Sequence, residues 1–451
     1  MEKIKMLWNS TAAKVVNQMY DEAVRKAAVD RKNDTIKRLS YYHDEMEDFI
    51  YDALVLHYAD PDAFTPAFFN VVKKIVNQVT TIYLADAARQ VDGTDQDKAI
   101  FSEIMQTTSL NPKMKICSRY TQLLKTTMLR PVWRKGQMDL DVLTGDVLDV
   151  IVGDTPEQLE QVLITHYPQS GETKDITYSL WSAETFRKLD YNGNTLETAP
   201  NPYLIIPMVP VWAFYPTGGS FWQAGGDDLI NIQSAVNEKL TDLLLVIRQQ
   251  GFGQAVIKGV PDTGKMQVGP GTTIEIENPQ GDFYYAKTNA PIDSILNAID
   301  FMVKQLAVSN GLPASSLSVK PTQESGLARI SGNRELEELR RDQISLFNTY
   351  EKRLFNMFRV VWNAHNPGRK ISEKARLKID FYDPKPTMSP DKEAEKWEKE
   401  LQMGTISRVD ILMLKNPDLT REDAKQKLLE IQAENKLFNY SSNADVKSGE
   451  E

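Results

Sequence analysis

The sequence predicts an α+β chain built from several units, and three observations carry that reading. Two stretches of helical periodicity, Asp227 to Gln250 and Asp293 to Ser309, bracket short strand-like runs parted by Gly and Pro. From Lys115 to Phe214 short apolar stretches alternate with turn signals, the grammar of antiparallel sheet. Finally, 451 residues exceed what one ordinary hydrophobic core accommodates, so about three units are expected.

Residues 1 to about 110 read as helical. Tyr41, Met46, Phe49, Ile50, Ala53 and Leu54 fall at core spacing, and Phe68, Val72, Ile75, Val76, Val79 and Tyr83 do so after the Asp60-Pro61 break, predicting a helix from Val71 to Ala88. In the sheet region a helix is expected near Pro156 to Leu163, and Asn192-Gly193 between KLDY and NTLET signals a two-residue hairpin. PTGGSFWQAGG, from Pro216 to Gly226, is a loop, and Asp227 or Asp228 caps the long helix that follows.

In that helix Leu229, Ile232, Val236, Leu240, Leu243 and Ile247 form a narrow apolar seam, as do Ile292, Ile295, Ile299, Met302 and Leu306 in its counterpart. At ~1.5 Å per residue the first helix is roughly 36 Å long, more than a compact domain needs. Gly251 and Gly253 end it. QAVIKG, GTTIEIENP and GDFYYAK are strand candidates before Pro291.

Asn310 to Asn333 is too rich in Gly, Pro and Ser for continuous helix. A third long helix runs from about Arg334 to Ala364 and stops at Asn366-Pro367-Gly368, and Lys378 to Tyr382 is a further strand. Ser389-Pro390 opens a helix ended by Gly404, and Ser407/Asp410 and Thr420/Asp423 match the capping-box pattern.

Composition narrows the function classes. The hydrophobic and charged fractions, 41% and 25%, are those of a folding chain. Cys117 is the one cysteine, which excludes a disulfide framework or a Cys-based metal site within the chain. The charged N-terminus lacks a secretory signal, and the longest apolar run, Tyr203 to Tyr215, is broken by Pro207 and Pro210 and is shorter than the ~20 residues that span a bilayer. Neither secretion nor membrane insertion is expected. A net charge of −9 disfavours tight phosphate binding, although an acidic wall allows a duplex to pass without deep electrostatic traps.

Catalytic motifs fail on context. Gly259 to Lys265 satisfies GxxxxGK, but Met266 stands where Ser or Thr should hold magnesium, and no helix follows. Gly251-Phe252-Gly253 ends a helix rather than opening one, DLDVLTGD misplaces the glycine of a calcium loop, and His43, His57, His166 and His365 are scattered. The aromatic cluster Trp212, Phe214, Tyr215, Phe221 and Trp222 reads as core or subunit-interface packing.

The order of elements from Leu39 to about Asn435 resembles the portal (head-to-tail connector) proteins of tailed bacteriophages. YYHDEMEDF with FFNVVKKIVNQVTTIYLAD is similar to the family's N-terminal helices, and GGDDLINIQSAVNEKLTDLLLVIRQQGFGQ to its first stem helix. SNGLP with ESGLARISGNRELEELRRDQ is similar to the second stem helix, tunnel loop and wing helix, and GTISRVDILMLKNPDLTREDAKQKLLEIQAEN to the C-terminal module.

The resemblance implies a portal fold: a mostly helical wing containing an antiparallel sheet (1–226 and 334–388), a two-helix stem (227–250 and 291–309), a small β-rich clip (251–290), a tunnel loop (310–333) and a helical crown (389–451). It further implies a homo-oligomeric ring, typically a dodecamer, at one capsid vertex of the virion, assembled after synthesis in the host cytoplasm. Double-stranded DNA would be cargo in its channel. The partners would be the terminase large subunit, tail adaptor proteins, and major capsid and scaffolding proteins, with no membrane, no cofactor and no catalysis.

Carried onto this sequence, the tunnel-loop candidates are Lys320, Ser325, Gly326, Leu327 and Arg329. Lys320 and Arg329 are placed for transient phosphate contact, and Arg329 suits a neighbour's carboxylate equally. Glu238, Lys239 and Asp242 would face the channel or an adjacent chain, and Lys258, Lys265, Glu275 and Glu277 are clip docking candidates. Gly311, Gly326 and Gly332 would permit loop movement. The alternatives are a ring-forming head-tail adaptor and a nucleotide-dependent DNA enzyme.

Overall fold

The computed structural model of the chain describes residues 22–55, 65–168, 170–252, 254–258, 280, 282–286, 292–317, 334–381, 390–416 and 419–445. It divides into two units, Met1–Tyr382 and Asp383–Glu451.

The first unit opens with helices α1 (Glu22–Tyr42), α2 (Glu47–Leu54) and α3 (Val71–Val79). The helix expected to reach Ala88 therefore stops nine residues early. Thr80, Thr81 and Ile82 are β-branched, and Thr80 Oγ1 donates to Val76 O at 2.7 Å, so the last turn closes on a side chain instead of propagating. Strand β1 (Ala88–Asp92) follows, unforeseen within a region read as helical.

Helix α4 (Asp95–Thr108) starts from a reciprocal Thr94/Asp97 capping box, and left-handed Ser109 separates it from α5 (Leu110–Leu124). The sheet region thus begins after Lys125, not at Lys115.

Two antiparallel sheets come next. Strands β2 (Thr126–Arg134) and β3 (Gln137–Leu143) form a hairpin, with Arg134 paired to Gln137 across Lys135 and Gly136. Both turn residues have positive φ, 50° and 80°, as a two-residue turn of matching twist requires. A five-stranded meander runs in chain order through β4 (Leu148–Val152), β5 (Leu159–His166), β6 (Thr177–Trp181), β7 (Thr185–Leu189) and β8 (Thr195–Pro200).

The helix expected near Pro156 to Leu163 is absent: Pro156 and the acids after it imitate a helix start, but Val162, Leu163 and Ile164 are buried in β5, which pairs with β4. The Asn192-Gly193 turn joins β7 to β8 as foreseen, though the loop spans 190–194. The Asp190 carboxylate accepts from the Asn192 and Asn194 amides there, at 2.9 and 2.8 Å. Strand β9 (Val209–Trp212) then adds to β2, giving the order β3-β2-β9.

Helix α6 (Asp227–Phe252) runs two residues past its expected end, and strands β10 (Gln254–Lys258) and β11 (Asp282–Ala286) pair antiparallel beyond it. GTTIEIENP lies outside the described residues. Helices α7 (Ile292–Ser309) and α8 (Arg334–His365) precede β12 (Arg376–Asp380), which pairs with β1.

One core joins α4, α5, α8 and the three-stranded sheet through Phe101, Met114, Leu129, Trp212, Tyr350 and Phe358. Cys117 lies in it, its thiol pushed up to about 12 by burial. A second core is helical, uniting α1, α2 and α3 with α6 and α7 through Tyr41, Ile50, Val72, Leu229, Ile299 and Leu306. A small third core lies on one face of the meander.

Buried ion pairs fix the elements against one another. Asp149 on β4 holds Lys32 and Arg31 of α1 at 2.6 and 2.8 Å. Glu351 on α8 accepts from Arg89 of β1 and from the Tyr83 hydroxyl, at 2.5 and 2.7 Å.

The second unit holds α9 (Pro390–Gln402), α10 (Arg408–Lys415) and α11 (Arg421–Asp445). Gly404, at φ +68°, ends α9, and Ser407/Asp410 forms the foreseen reciprocal box. Lys415 sits 4.7 Å over the Trp397 ring. Among the described residues of this unit Ala424 alone is an apolar side chain withdrawn from solvent.

Glu351→Ala removes the carboxylate that buried Arg89 depends on, and urea unfolding should show a loss of about 3–5 kcal/mol. A loss below about 1 kcal/mol contradicts this role.

Candidate functional site

The two helices predicted to lie side by side do so, and they are antiparallel. β10 and β11 join their far ends, and at the near end Ser309 Oγ of α7 donates to Asp228 Oδ2 of α6 at 3.4 Å. The positive end of one helix dipole thereby meets the negative end of the other. Leu229, Val236 and Leu243 of α6 and Ile299 and Leu306 of α7 are buried, as the seams predicted. Ile247, also in the predicted seam, is exposed, together with Leu244, Leu296, Phe301 and Val308, at values from 46% to 63%. Five large apolar residues of this helix pair thus remain exposed in the single chain.

Polar side chains dock α6 alongside these apolar ones. Gln233, Asn237 and Thr241 recur every fourth residue and are fully buried. Gln233 Oε1 accepts from the Val71 and Val72 amides at 2.8 and 3.2 Å, while Asn70 accepts from Lys73 N at 2.8 Å. The free amides that open α3 are thus capped partly by its own Asn70 and partly by a side chain of α6. Gln233 Nε2 continues to Asn237 Oδ1 at 2.6 Å, and Thr241 Oγ1 accepts from Ala67 N at 3.0 Å. The apolar seam alone does not reveal these residues, although their four-residue spacing is a legible signal in the sequence.

The near end of the pair is a crowded joint. The chain enters α6 through Gly225 and Gly226, at φ +122° and +80°. Buried Arg38 of α1 donates to Gly225 O at 2.8 Å and Leu123 O at 3.2 Å, and pairs with Asp34 at 2.6 Å and with Asp227. No local pattern around Arg38 signals this role.

At the other helix end the structure corrects an expectation. Gly311, expected to lend mobility, sits at φ +72° as the C-cap of α7: its amide donates to Val308 O at 3.0 Å, and Leu312 N donates to Ala307 O at 2.9 Å. A 3-10 turn, Ala314–Leu317, follows, so residues 310–317 are built structure.

The three stem candidates lie on α6. Lys239 is exposed and pairs with half-buried Asp242 at 2.9 Å, and Glu238 accepts from Ser234 Oγ at 3.3 Å. The backbone of Lys258 pairs with Asp282 at the end of β10. Lys265, Glu275, Glu277, Lys320, Ser325, Gly326, Leu327, Arg329 and Gly332 lie outside the described residues, as does the rest of the Gly259 to Lys265 turn. Among the described residues no cluster of His, Cys, Asp or Glu could hold a metal ion, and no helix is long and apolar enough to cross a membrane.

Comparison with known families decides the class. A profile described as phage portal protein, SPP1 Gp6-like, matches residues 26–437, from α1 into α11. The chain belongs to this family of phage portal proteins. As a portal protein it falls among the head-tail connectors of phage-like virions. No curated protein sequence matches it. Among solved structures, a chain in the neck of an empty GTA particle with C6 symmetry is similar at TM-score 0.43 and 11% identity, over 76% of this chain and 88% of that one. A chain in the neck of a native GTA particle with C12 symmetry is similar at TM-score 0.42 and 11% identity, over 77% and 90%.

Gln233→Leu strips the acceptor from the buried Val72 amide and leaves the Val71 amide only Phe69 O at 3.2 Å, and should cost about 1–3 kcal/mol, the desolvation penalty of an orphaned group. Urea denaturation reads the loss, and hydrogen exchange should locate it at residues 71 and 72. An unchanged midpoint would mean that α3 is capped some other way.

Proposed function

We propose that this portal protein assembles with copies of itself into a ring, a dodecamer by family resemblance, at one capsid vertex. Double-stranded DNA passes through its channel during packaging and ejection. The observation that carries the reading is the exposed apolar set on α6 and α7: Leu244, Ile247, Leu296, Phe301 and Val308. Burying that surface is worth ~25 cal/mol per Å2, and neighbouring copies presenting the same elements at the same height are its simplest cover.

In this reading the helix pair is the stem, and residues 251–290 form the clip, where the terminase large subunit docks during packaging and tail adaptors afterwards. Residues 1–226 and 334–388 are the wing, 389–451 the crown, and the segment from 318 to 333 the tunnel loop. Lys239 and Asp242 neutralise each other, which suits a wall along which phosphates slide without being held. Lys320 and Arg329 would touch phosphates in passing. The chain supplies a conduit, and the work of translocation belongs to the terminase.

Phe301→Asp tests the ring. Phe301 is 63% exposed, so monomer stability should change by no more than about 0.5 kcal/mol. Native mass spectrometry and negative-stain images should show rings from the unsubstituted chain and dispersed subunits from the variant. Rings formed equally by both would remove this face from the interface. Separately, Lys320→Ala with Arg329→Ala should slow DNA packaging in reconstituted particles, and unchanged packaging would discard the phosphate-contact role.

A further inference from the structure

A cavity of about 540 Å3 lies where α5, the β2–β3 hairpin and the end of β5 come together, and the portal reading does not use it. Side chains alternate along a strand, so Arg130 and Arg134 of β2 share one face, and the register sets Asp141 opposite Arg130 on that face, with Asp139 two residues away. These residues form one charged network. Asp141 accepts from Arg130 Nε and Nη2 at 3.0 and 2.5 Å and from Arg134 Nη2 at 2.7 Å. Asp139 accepts from Arg134 Nη1 at 2.9 Å and from Lys113 Nζ of α5 at 2.5 Å.

Three cations against two carboxylates leave a surplus of one positive charge, and it falls on the cavity side. Lys113, Arg130 and Arg134 all line the cavity, whereas of the two acids Asp141 does and Asp139 does not. Arg130 is 7% exposed, and with Nε and Nη2 given to Asp141 its Nη1 has no acceptor among the described residues. A guanidinium this buried ordinarily spends its donors. Leu143, Val147 and Ile164 make other parts of the wall apolar, which weakens screening of the charges beside them. His166 of β5 also lines the cavity, with Nε2 2.7 Å from Ser179 Oγ. Burial first, and then Arg130, Arg134 and Lys188 against Asp141, push its imidazole down to about 4, so at neutral pH it adds no further charge.

We propose that this cavity binds a small free oxyanion of the phosphate class, with Arg130, Arg134 and Lys113 as its donors. The anion cancels the surplus charge and supplies the acceptor that Arg130 Nη1 lacks. Guanidinium and ammonium groups brought together from a strand and a helix suit an ion that accepts from several directions. DNA is the other source of phosphates, but a polyanion is repelled by a chain of net charge −9, whereas a single small ion responds mainly to the cations next to it. Among the described residues none of α6 or α7 lines the cavity, so the assignment does not depend on the ring.

Calorimetric titration of inorganic phosphate into the full chain at pH 7, with ionic strength held constant by chloride, should show one saturable site per chain. Lys113→Gln with Arg134→Gln should weaken that binding about tenfold or more, the loss of a hydrogen bond to a charged group being worth roughly that factor. Both side chains are partly exposed, at 30% and 45%, so circular dichroism should be unchanged. The unsubstituted chain gives a reading that needs no variant. Phosphate should slow phenylglyoxal labelling of Arg134, followed by peptide mass spectrometry, and leave Arg369, which is similarly exposed, unaffected. The absence of a saturable site, binding that survives the double substitution, or unslowed labelling of Arg134 overturns the proposal. Protection of Arg134 by a short DNA duplex in place of phosphate hands the cavity to nucleic acid and overturns it equally.

Discussion

Three buried polar side chains, Gln233, Asn237 and Thr241, decide how the long helix α6 sits, and much of the structure depends on that choice. An apolar stripe alone tolerates a helix rotated or slid by a fraction of a turn, because dispersion contacts are plentiful and undirected. A buried hydrogen-bond ladder does not, since every misplaced partner leaves a polar group dry and unpaired. By capping α3 from α6, the ladder sets which side of α6 is covered. The opposite side, with Lys239, is thereby committed to solvent or to another chain.

The ion pairs at Asp149 and Glu351 act in a similar way at other contacts. Their desolvation cost offsets most of their attraction, so they add little net stability; what they do is make the wrong packing expensive. Asp149 ties α1 to the edge strand of the meander, and Glu351 ties α8 to β1. In each case the carboxylate and its cation lie far apart in sequence. A core assembled from such distant segments needs specific tethers more than it needs additional apolar area.

That distance also explains what could be read from the chain alone. Helices α6, α7, α8 and α9 were legible because their determinants are local: a long period, a cap at the start and a glycine or proline at the stop. The Asp190–Asn194 turn was legible for the same reason. Strands β1 and β12 are each five residues long and have meaning only as a pair, one near each end of the unit, so β1 was absorbed into a helical reading. β5 reads locally as helix because Pro156 and its acids make a good helix start, while pairing with β4 and burial of Val162 to Ile164 decide the strand. A glycine such as Gly311 suggests mobility in the sequence, but its positive φ serves a helix cap. For the candidate site, the existence and pairing of the two helices are foreseeable and the polar ladder is encoded in its four-residue spacing, whereas the Arg38 joint exists only once three distant segments meet.

Cys117 has a practical bearing on all of this. Its sulfur is enclosed among Thr121, Thr127 and the large core, and its thiolate is strongly disfavoured, so electrophilic reagents have neither access nor a nucleophile to meet. A single cysteine introduced on any solvent-facing helix would therefore be the sole handle for maleimide dyes or spin labels, with the native thiol left in place. Distances between subunits, or across the helix pair, become measurable on an otherwise unaltered chain.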